Sequence, residues 1–444
     1  KIIRYDSRLT MLSQIVFIVL VTFSIGLFTY RLRGIIRQIK LGRDVQLSGK
    51  FLERMKTMLL VAFGQKKMFN RPVPAILHFI FYVAFIITQI ELIEVFIDGA
   101  SGSHRYFYHA GMGSFYTFVI SAIEILSVLT FVATLVFFAR RNLIKLPRFT
   151  MSELKGWPRN DANLILLFEL LLILFIFAMN SADEANKVLQ SHVGYGFSVS
   201  QYLGPLFFGR INSPEMLYLF SSIGWWGHLL MVLIFLNYLT FSKHLHILFA
   251  FPNTYFSNLN PKGQLQNMPA VEAEVKLMLD PSADPYAANQ TSTVPSRFGA
   301  KDIQDLSWKQ LLDAYSCTEC GRCTAVCPAN QTGKLLSPRK IMMDTRDRMV
   351  KVGKNKFNLE DGKSLLGDYI TQEEIWACTS CNACVQECPV NIDPLSIIVD
   401  LRRYSVMEES TIPTELTGML TNIENNGAPW QFSPADRMKW TEEN

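Results

Sequence analysis

The sequence has no cysteine in its first 316 residues and none after residue 388; all eight fall in two short runs between. That distribution leaves no thiol for a disulfide framework elsewhere in the chain. Charge is scarce too. Asp, Glu, Lys and Arg make up 18% of the 444 residues against 49% hydrophobic, with 32 Phe, which excludes a disordered or uniformly water-soluble chain. Only seven histidines occur, so each one beside an apolar run carries information. The formal charge of +5 could suggest nucleic acid. The basic residues lie instead in loops beside apolar runs, and no aromatic-basic recognition motif appears, so no nucleic-acid partner is expected.

Crossing about 30 Å of hydrocarbon takes roughly 20 helical residues. Five charge-poor stretches meet that length: 11–30, 73–97, 115–139, 162–179 and 216–242. The first and last contain no Asp, Glu, Lys or Arg; the second carries Glu91 and Glu94 near its end, the third Glu124 and the fourth Glu169. Five transmembrane helices are expected. Residues 11–30 read as a span and not as a cleavable signal, being too long for an h-region and followed by basic residues. Lys and Arg are retained on the cytoplasmic side. Residues 31–72 hold eleven and residues 140–161 six, whereas 98–114 hold only Arg105 and 180–215 only Lys187 and Arg210. The N-terminus is therefore expected outside and residues 243–444 in the cytoplasm, with the protein in the cytoplasmic membrane. Carboxylates inside a bilayer are costly and commonly functional. Glu124 and Glu169, the deeper two, read either as quinone or proton-path groups or as hydrogen-bonding groups of the bundle.

The cysteines repeat one pattern: Cys317-x2-Cys320-x2-Cys323-x3-Cys327-Pro328, then Cys378-x2-Cys381-x2-Cys384-x3-Cys388-Pro389. In two-cluster ferredoxins with this spacing, three close thiolates hold one cube and the fourth ligates the other. Cluster one is expected on Cys317, Cys320, Cys323 and Cys388, and cluster two on Cys378, Cys381, Cys384 and Cys327. Structural zinc prefers separated Cys pairs, and disulfides do not suit a cytoplasmic domain. The fifty residues between the motifs, 328–377, read as helical. Ser337-Pro338 leads into a helix over 341–350, and Thr371-Gln372-Glu373-Glu374 has the capping-box pattern. With every thiol assigned to a cluster, the chain reads as an electron wire that needs a partner for substrate chemistry.

His228 and His246 are 18 residues apart, five turns of a regular helix, which would place them on one face about 27 Å apart. Two same-face imidazoles at opposite membrane edges suit two stacked b haems, each iron taking one histidine from each of two facing helices. His78, at the cytoplasmic start of the second helix, pairs with His246. The outer partner of His228 is to come from His104, His109 or His192, because Thr88 and Gln89 occupy the outer half of the second helix. His104 is favoured, since Arg105 beside it could meet a haem propionate. His244, off that face, suits a solvent, propionate or quinone-site role.

Residues 11–250, with His78 in LHFIFY and the run WWGHLLMVLIFLNYLTFSKHLHIL, resemble the haem-b gamma subunit of respiratory nitrate reductase. Residues 305–405 are similar to the small iron–sulfur subunit of heterodisulfide reductases. The resemblance implies a mainly α protein with a five-helix transmembrane haem-binding bundle (1–250), a Pro-, Asn- and Ser-rich linker (251–304), a cytoplasmic helical two-cluster ferredoxin domain (305–405) and a tail (406–444). It implies two [4Fe–4S] clusters, one or two b haems, and menaquinone or another quinone as substrate. The partner it implies is a cytoplasmic catalytic subunit, of the Cys-Cys-Gly-motif type or reached through an electron-transfer flavoprotein. Thr88 departs from the nitrate reductase pattern of two histidines on each of helices two and five. The competing function is a membrane polyferredoxin that acts in assembly without haem.

Overall fold

The computed structural model describes residues 7–442 apart from 48, 193, 262 and 281–296. Among the described residues there is no strand, only two isolated bridges. The chain divides into two compact units. The first comprises residues up to Arg37, Met55–Tyr255 and Thr318–Gly321; the second comprises Gln38–Arg54, Phe256–Cys317 and the chain from Arg322 onward.

Five helices of the first unit are long and apolar enough to cross a membrane. They are α1 (Ser7–Ile39), α2 (Pro72–Ser101), α3 (Gly113–Asn142, entered through a π turn at Tyr108–Met112), α4 (Trp157–Leu189) and α6 (Pro214–Tyr238); a short α5 (Ser200–Phe208) precedes the last. Proline in the first turn starts α2, α4 and α6, where a missing N–H costs nothing. The Ser213 hydroxyl accepts from the Met216 N–H to cap α6. Gly102, at φ 72°, closes α2 with its N–H on the Asp98 carbonyl, a left-handed cap that glycine adopts without strain. Lipid tails give apolar side chains no reason to leave lipid for one another, so helices associate through close packing and polar links. Both occur here. Gly224 of α6 lies so near α4 that a Cβ would stand 2.5 Å from the Met179 nitrogen, and Phe17, Val95, Leu229 and Leu233 form a core joining α1, α2 and α6.

The fifth span is not the continuous helix expected across 216–242 and on to His246. Helix α6 ends at Tyr238, a 3-10 turn follows, and Ser242 is extended (φ −105°, ψ 149°) with its hydroxyl accepting from the His244 N–H. A new helix, α7 (His246–Tyr255), starts at His246 itself. Counting five turns from His228 therefore fails. Asp161 makes the break tolerable by accepting from the Tyr238 hydroxyl (2.5 Å) and the Lys243 N–H (3.1 Å), so backbone freed from the helix keeps a partner.

The second unit is helical, around α8 (Trp308–Ser316), α9 (Pro338–Lys354) and α10 (Pro394–Met407). Its caps follow the sequence. Ser337 accepts from the Lys340 N–H at the start of α9, and Thr371 and Glu374 form the expected capping box before Gln372–Trp376. Leu311, Ile341, Met349, Ile397 and Leu401 are all at most 1% exposed and form its core. Arg348 pins the insert between the cysteine runs. Its guanidinium donates to both oxygens of Asp302, to both of Asp361 and to the Lys363 carbonyl. Gln38–Arg54, from the first basic loop, belongs here: the Arg43 N–H donates to Leu306 O (2.7 Å) and the Trp308 N–H to Arg43 O (3.0 Å). Residues 251–255 complete α7, and Pro269–Leu279 is a helix within the stretch expected as linker. Residues 281–296 of that linker lie outside the described residues.

Candidate electron-transfer site

The two cysteine loops share a backbone design that spacing alone does not reveal. In the first, Glu319 and Gly321 are left-handed (φ 55° and 71°); at the same places in the second, Ser380 and Asn382 are left-handed (φ 55° and 61°). Left-handed residues between ligands turn successive N–H groups inward, a concavity that suits anions such as iron–sulfur cubes. In the second loop the Ser380 N–H points at Cys378 Sγ (3.4 Å), and beyond it the Ile392 N–H points at Cys388 Sγ (3.3 Å). Such bonds to sulfur are among the means by which proteins set cluster potentials. The short helix Arg322–Ala325, which bears Cys323, packs on Ala383–Glu387, which bears Cys384. Cys327, of the first run, lies close enough to Cys378 and Cys384 for its charge to oppose theirs. Burial pushes the Cys384 thiol up to about 12 and raises Cys378 as well. Buried thiolates are expensive as free anions and are stabilised as metal ligands, so the donor set fits 4Fe–4S. Arg402, which the sequence did not single out, donates to the Cys378 and Ile375 carbonyls and stacks on Trp376, placing a positive charge beside this loop.

In the first unit the structure brings His78 and His246 together, with ring centroids 6.5 Å apart and planes inclined by 43°. An iron taking an imidazole nitrogen at about 2 Å from each side separates the centroids by roughly 6–6.5 Å, so the pair fits bis-histidine ligation. Each ring is oriented through Nδ1: His78 to Gln65 Oε1 (3.2 Å) and His246 to Lys243 O (3.3 Å). This is how metal-binding imidazoles are commonly held. Gln65 is buried and left-handed (φ 49°), a strained position for a non-glycine residue, and nothing in the sequence marks it. Burial lowers the His246 imidazole below its ordinary range despite the Lys243 carbonyl, and lowers His244 further, with His246 and His78 adding to the effect. Neutral imidazole is the ligating form. His244 lies 5.1 Å from His246, ring to ring. Lys243 donates to Pro158 O (2.7 Å) and to Glu319 Oε2 (2.5 Å), both within this unit.

The expected outer pair is not assembled. His228 directs Nδ1 at Leu172 O (3.4 Å), but His104 binds Asp183 Oδ2 through Nε2 (2.9 Å). The other oxygen of Asp183 accepts from Ser221, two turns from His228 on α6 and so about 10 Å along its axis. His109 and His192 are exposed. Arg105 is not positioned for a propionate either. It is 2% exposed and is spent on Asp183 (2.7 Å), Tyr116 (3.0 Å) and Asn180 (2.6 Å), because a buried carboxylate must be paired. Thr88 and Gln89 both bond the Phe85 carbonyl of their own helix. Glu124 is a bundle anchor that accepts from Ser200, from the Val199 N–H (2.7 Å) and from Asn180 (3.2 Å). Glu184, outside the expected spans, anchors the Tyr195 and Phe197 N–H groups in the same way.

Residues 313–392 match the family described as 4Fe-4S dicluster domain. The chain is similar to the probable iron-sulfur-binding oxidoreductase FadF of Bacillus subtilis, 29% identical over 97% of this chain and 61% of that one. It is similar also to an EtfAB:quinone oxidoreductase of Syntrophomonas wolfei, 26% identical over 90% and 55%. One subunit of a ferredoxin/F(420)H(2)-dependent CoB-CoM heterodisulfide reductase of Methanosarcina acetivorans is 36% identical over 23% of this chain and 52% of that one. The chain thus spans 55–61% of the length of the first two relatives. No solved structure matches it.

Proposed function

We propose that this chain, a membrane iron–sulfur protein like the small iron–sulfur subunit of heterodisulfide reductases, carries electrons between a catalytic partner and the membrane quinone pool. Two [4Fe–4S] clusters, on Cys317, Cys320, Cys323 and Cys388 and on Cys378, Cys381, Cys384 and Cys327, exchange electrons with the partner in the cytoplasm. His78 and His246 hold a b haem at the cytoplasmic end of the bundle. The observation that carries the haem is the 6.5 Å separation of those two rings. When bound, haem and clusters supply one-electron redox steps. The chain's own residues fix the imidazoles (Gln65 and the Lys243 carbonyl), direct the Ser380 and Ile392 N–H groups at the Cys378 and Cys388 sulfurs, and keep His244 neutral by burial. No second haem is assigned to His228, because His104 is committed to Asp183. The cytoplasmic placement rests on the basic loops at 31–72 and 140–161. The quinone and the partner rest on the relatives' names and on the resemblance.

The test is a pyridine haemochrome assay with iron and acid-labile sulfide analysis on the purified protein, repeated on His246→Ala. Haem b with about eight cluster irons, the haem lost in the variant and the iron retained, is the expected result. Cluster iron without haem in the wild type would instead support the assembly-factor reading.

A further inference from the structure

Between α2 and α3 of the first unit lies a cavity of about 140 Å3 whose lining includes Ile90, Met112, Phe115, Val119 and Glu91. An apolar cavity of roughly 150 Å3 holds a benzene ring. Glu91 is 3% exposed, and neither of its carboxylate oxygens has a hydrogen-bond partner. A carboxylate so placed in hydrocarbon is too costly to stay charged and unpaired. It lines the cavity with both carboxyl oxygens unpartnered. Phe115, Ile90 and Met112 are exposed on the apolar flank of their helices, so the cavity opens toward lipid, and an occupant must be lipid-soluble. Leu229 packs with Val95 in one core, which places His228 within about a turn of the depth of Glu91.

The cavity also adjoins a hydrogen-bonded polar network. Glu94, one turn from Glu91, lines the cavity with Tyr116 and accepts from its hydroxyl (2.7 Å). Tyr116 accepts from Arg105 (3.0 Å), Arg105 donates to Asp183 (2.7 Å), and Asp183 binds His104 (2.9 Å), whose side chain is 40% exposed. Glu94 and Asp183 of this network are fixed by donors, whereas Glu91 has none.

We propose that this cavity binds the ring of a lipid-soluble quinone and that Glu91 exchanges protons with the ring oxygens, resupplied by the carboxyl of Glu94, which lines the same cavity one turn away. The inference rests on the quinone-linked reading above and deepens it. A quinone gains two electrons from the protein's redox groups and two protons by way of Glu91, its two carbonyl oxygens becoming hydroxyls; quinol oxidation is the reverse. The Glu91 proton is replaced after each transfer, so the carboxyl is unchanged at the end of a turnover.

Binding is read from quenching of 2-heptyl-4-hydroxyquinoline N-oxide fluorescence by the full-length protein in detergent. Turnover is read as re-oxidation of the dithionite-reduced protein by 2,3-dimethyl-1,4-naphthoquinone. Val119→Trp, which fills the cavity without touching a charged group, should weaken binding at least tenfold with haem and iron content unchanged. Glu91→Gln, nearly isosteric, should leave binding within about threefold and slow re-oxidation at least tenfold. Wild-type binding and rates in both variants, or no quenching by a haem-replete wild type, would overturn the proposal. A wild type without haem sinks the electron-transfer reading instead, whereas quenching abolished by Val119→Trp would still establish the cavity as a binding site.

Discussion

Replacing Arg348 with Met should unfasten the insert between the cysteine runs. The Arg348 side chain is 0% exposed, and its main partner, Asp302, is 6% exposed at 2.6 Å. Asp302 accepts in addition from the Leu365 and Ile303 N–H groups, so one carboxylate ties the segment before α8 to the end of the insert. Removing one partner of a buried ion pair strands the other charge, at a cost of about 3–5 kcal/mol. Asp361, more exposed at 11%, should matter much less. With a guanidinium slope of a few kcal/mol per molar, the unfolding midpoint should fall by roughly 1 M. The assay follows cluster absorbance near 400 nm against guanidinium in the full-length protein. Asp302→Asn on top of Arg348→Met should recover at least about 1.5 kcal/mol, since it removes the stranded charge and keeps the helix cap. A midpoint that hardly moves, or a double variant no more stable than Arg348→Met alone, would refute the reasoning.

Gly224→Ala puts a Cβ 2.5 Å from the Met179 nitrogen and should cost about 1–3 kcal/mol by forcing α4 and α6 apart; Gly26→Ala, with nothing within 4 Å, should be neutral, and SDS-induced unfolding in mixed micelles compares the two. Cys327→Ser should damage the cluster of the second run and Cys388→Ser that of the first, read as separate losses in the electron paramagnetic resonance of the reduced protein; loss of the same-run cluster in each variant would rule out crossed ligation. Asp344 is raised to about 6, chiefly by burial and against the pull of Lys340. The native state therefore holds its proton more tightly than the unfolded chain, and the group costs stability increasingly as pH rises from about 4 through 6. Asp344→Asn should accordingly gain more over the wild type at pH 8 than at pH 5.5 in chemical unfolding, and an equal difference at both would contradict this.

The five spans were legible because hydrocarbon thickness imposes a length and a composition that few other structures share. The helix caps at Ser337 and Thr371 were legible because capping is local chemistry. That the rings of His78 and His246 stand near one another was also expected, but for a partly mistaken reason: the helix between His228 and His246 is broken, and the 6.5 Å approach comes from the geometry around Asp161 and Gln65. What could not be read were partners far apart in sequence. Asp183 stands 78 residues from Arg105 and 79 from His104, and only the folded bundle shows that it takes both. The left-handed Ser380 and Asn382 were hidden for another reason, since neither is the glycine that usually announces such a turn.

A single rigid fifth span would drag His246 along whenever a thicker or thinner bilayer altered its tilt. The break at Ser242 divides that load. Helix α6 can lean to match the lipid, while His246 starts a separate helix whose approach is held by the Asp161 contact to Lys243 and whose facing ring is held by Gln65. A change in the tilt of α6 is therefore not carried rigidly to His246, because the two belong to separate helices.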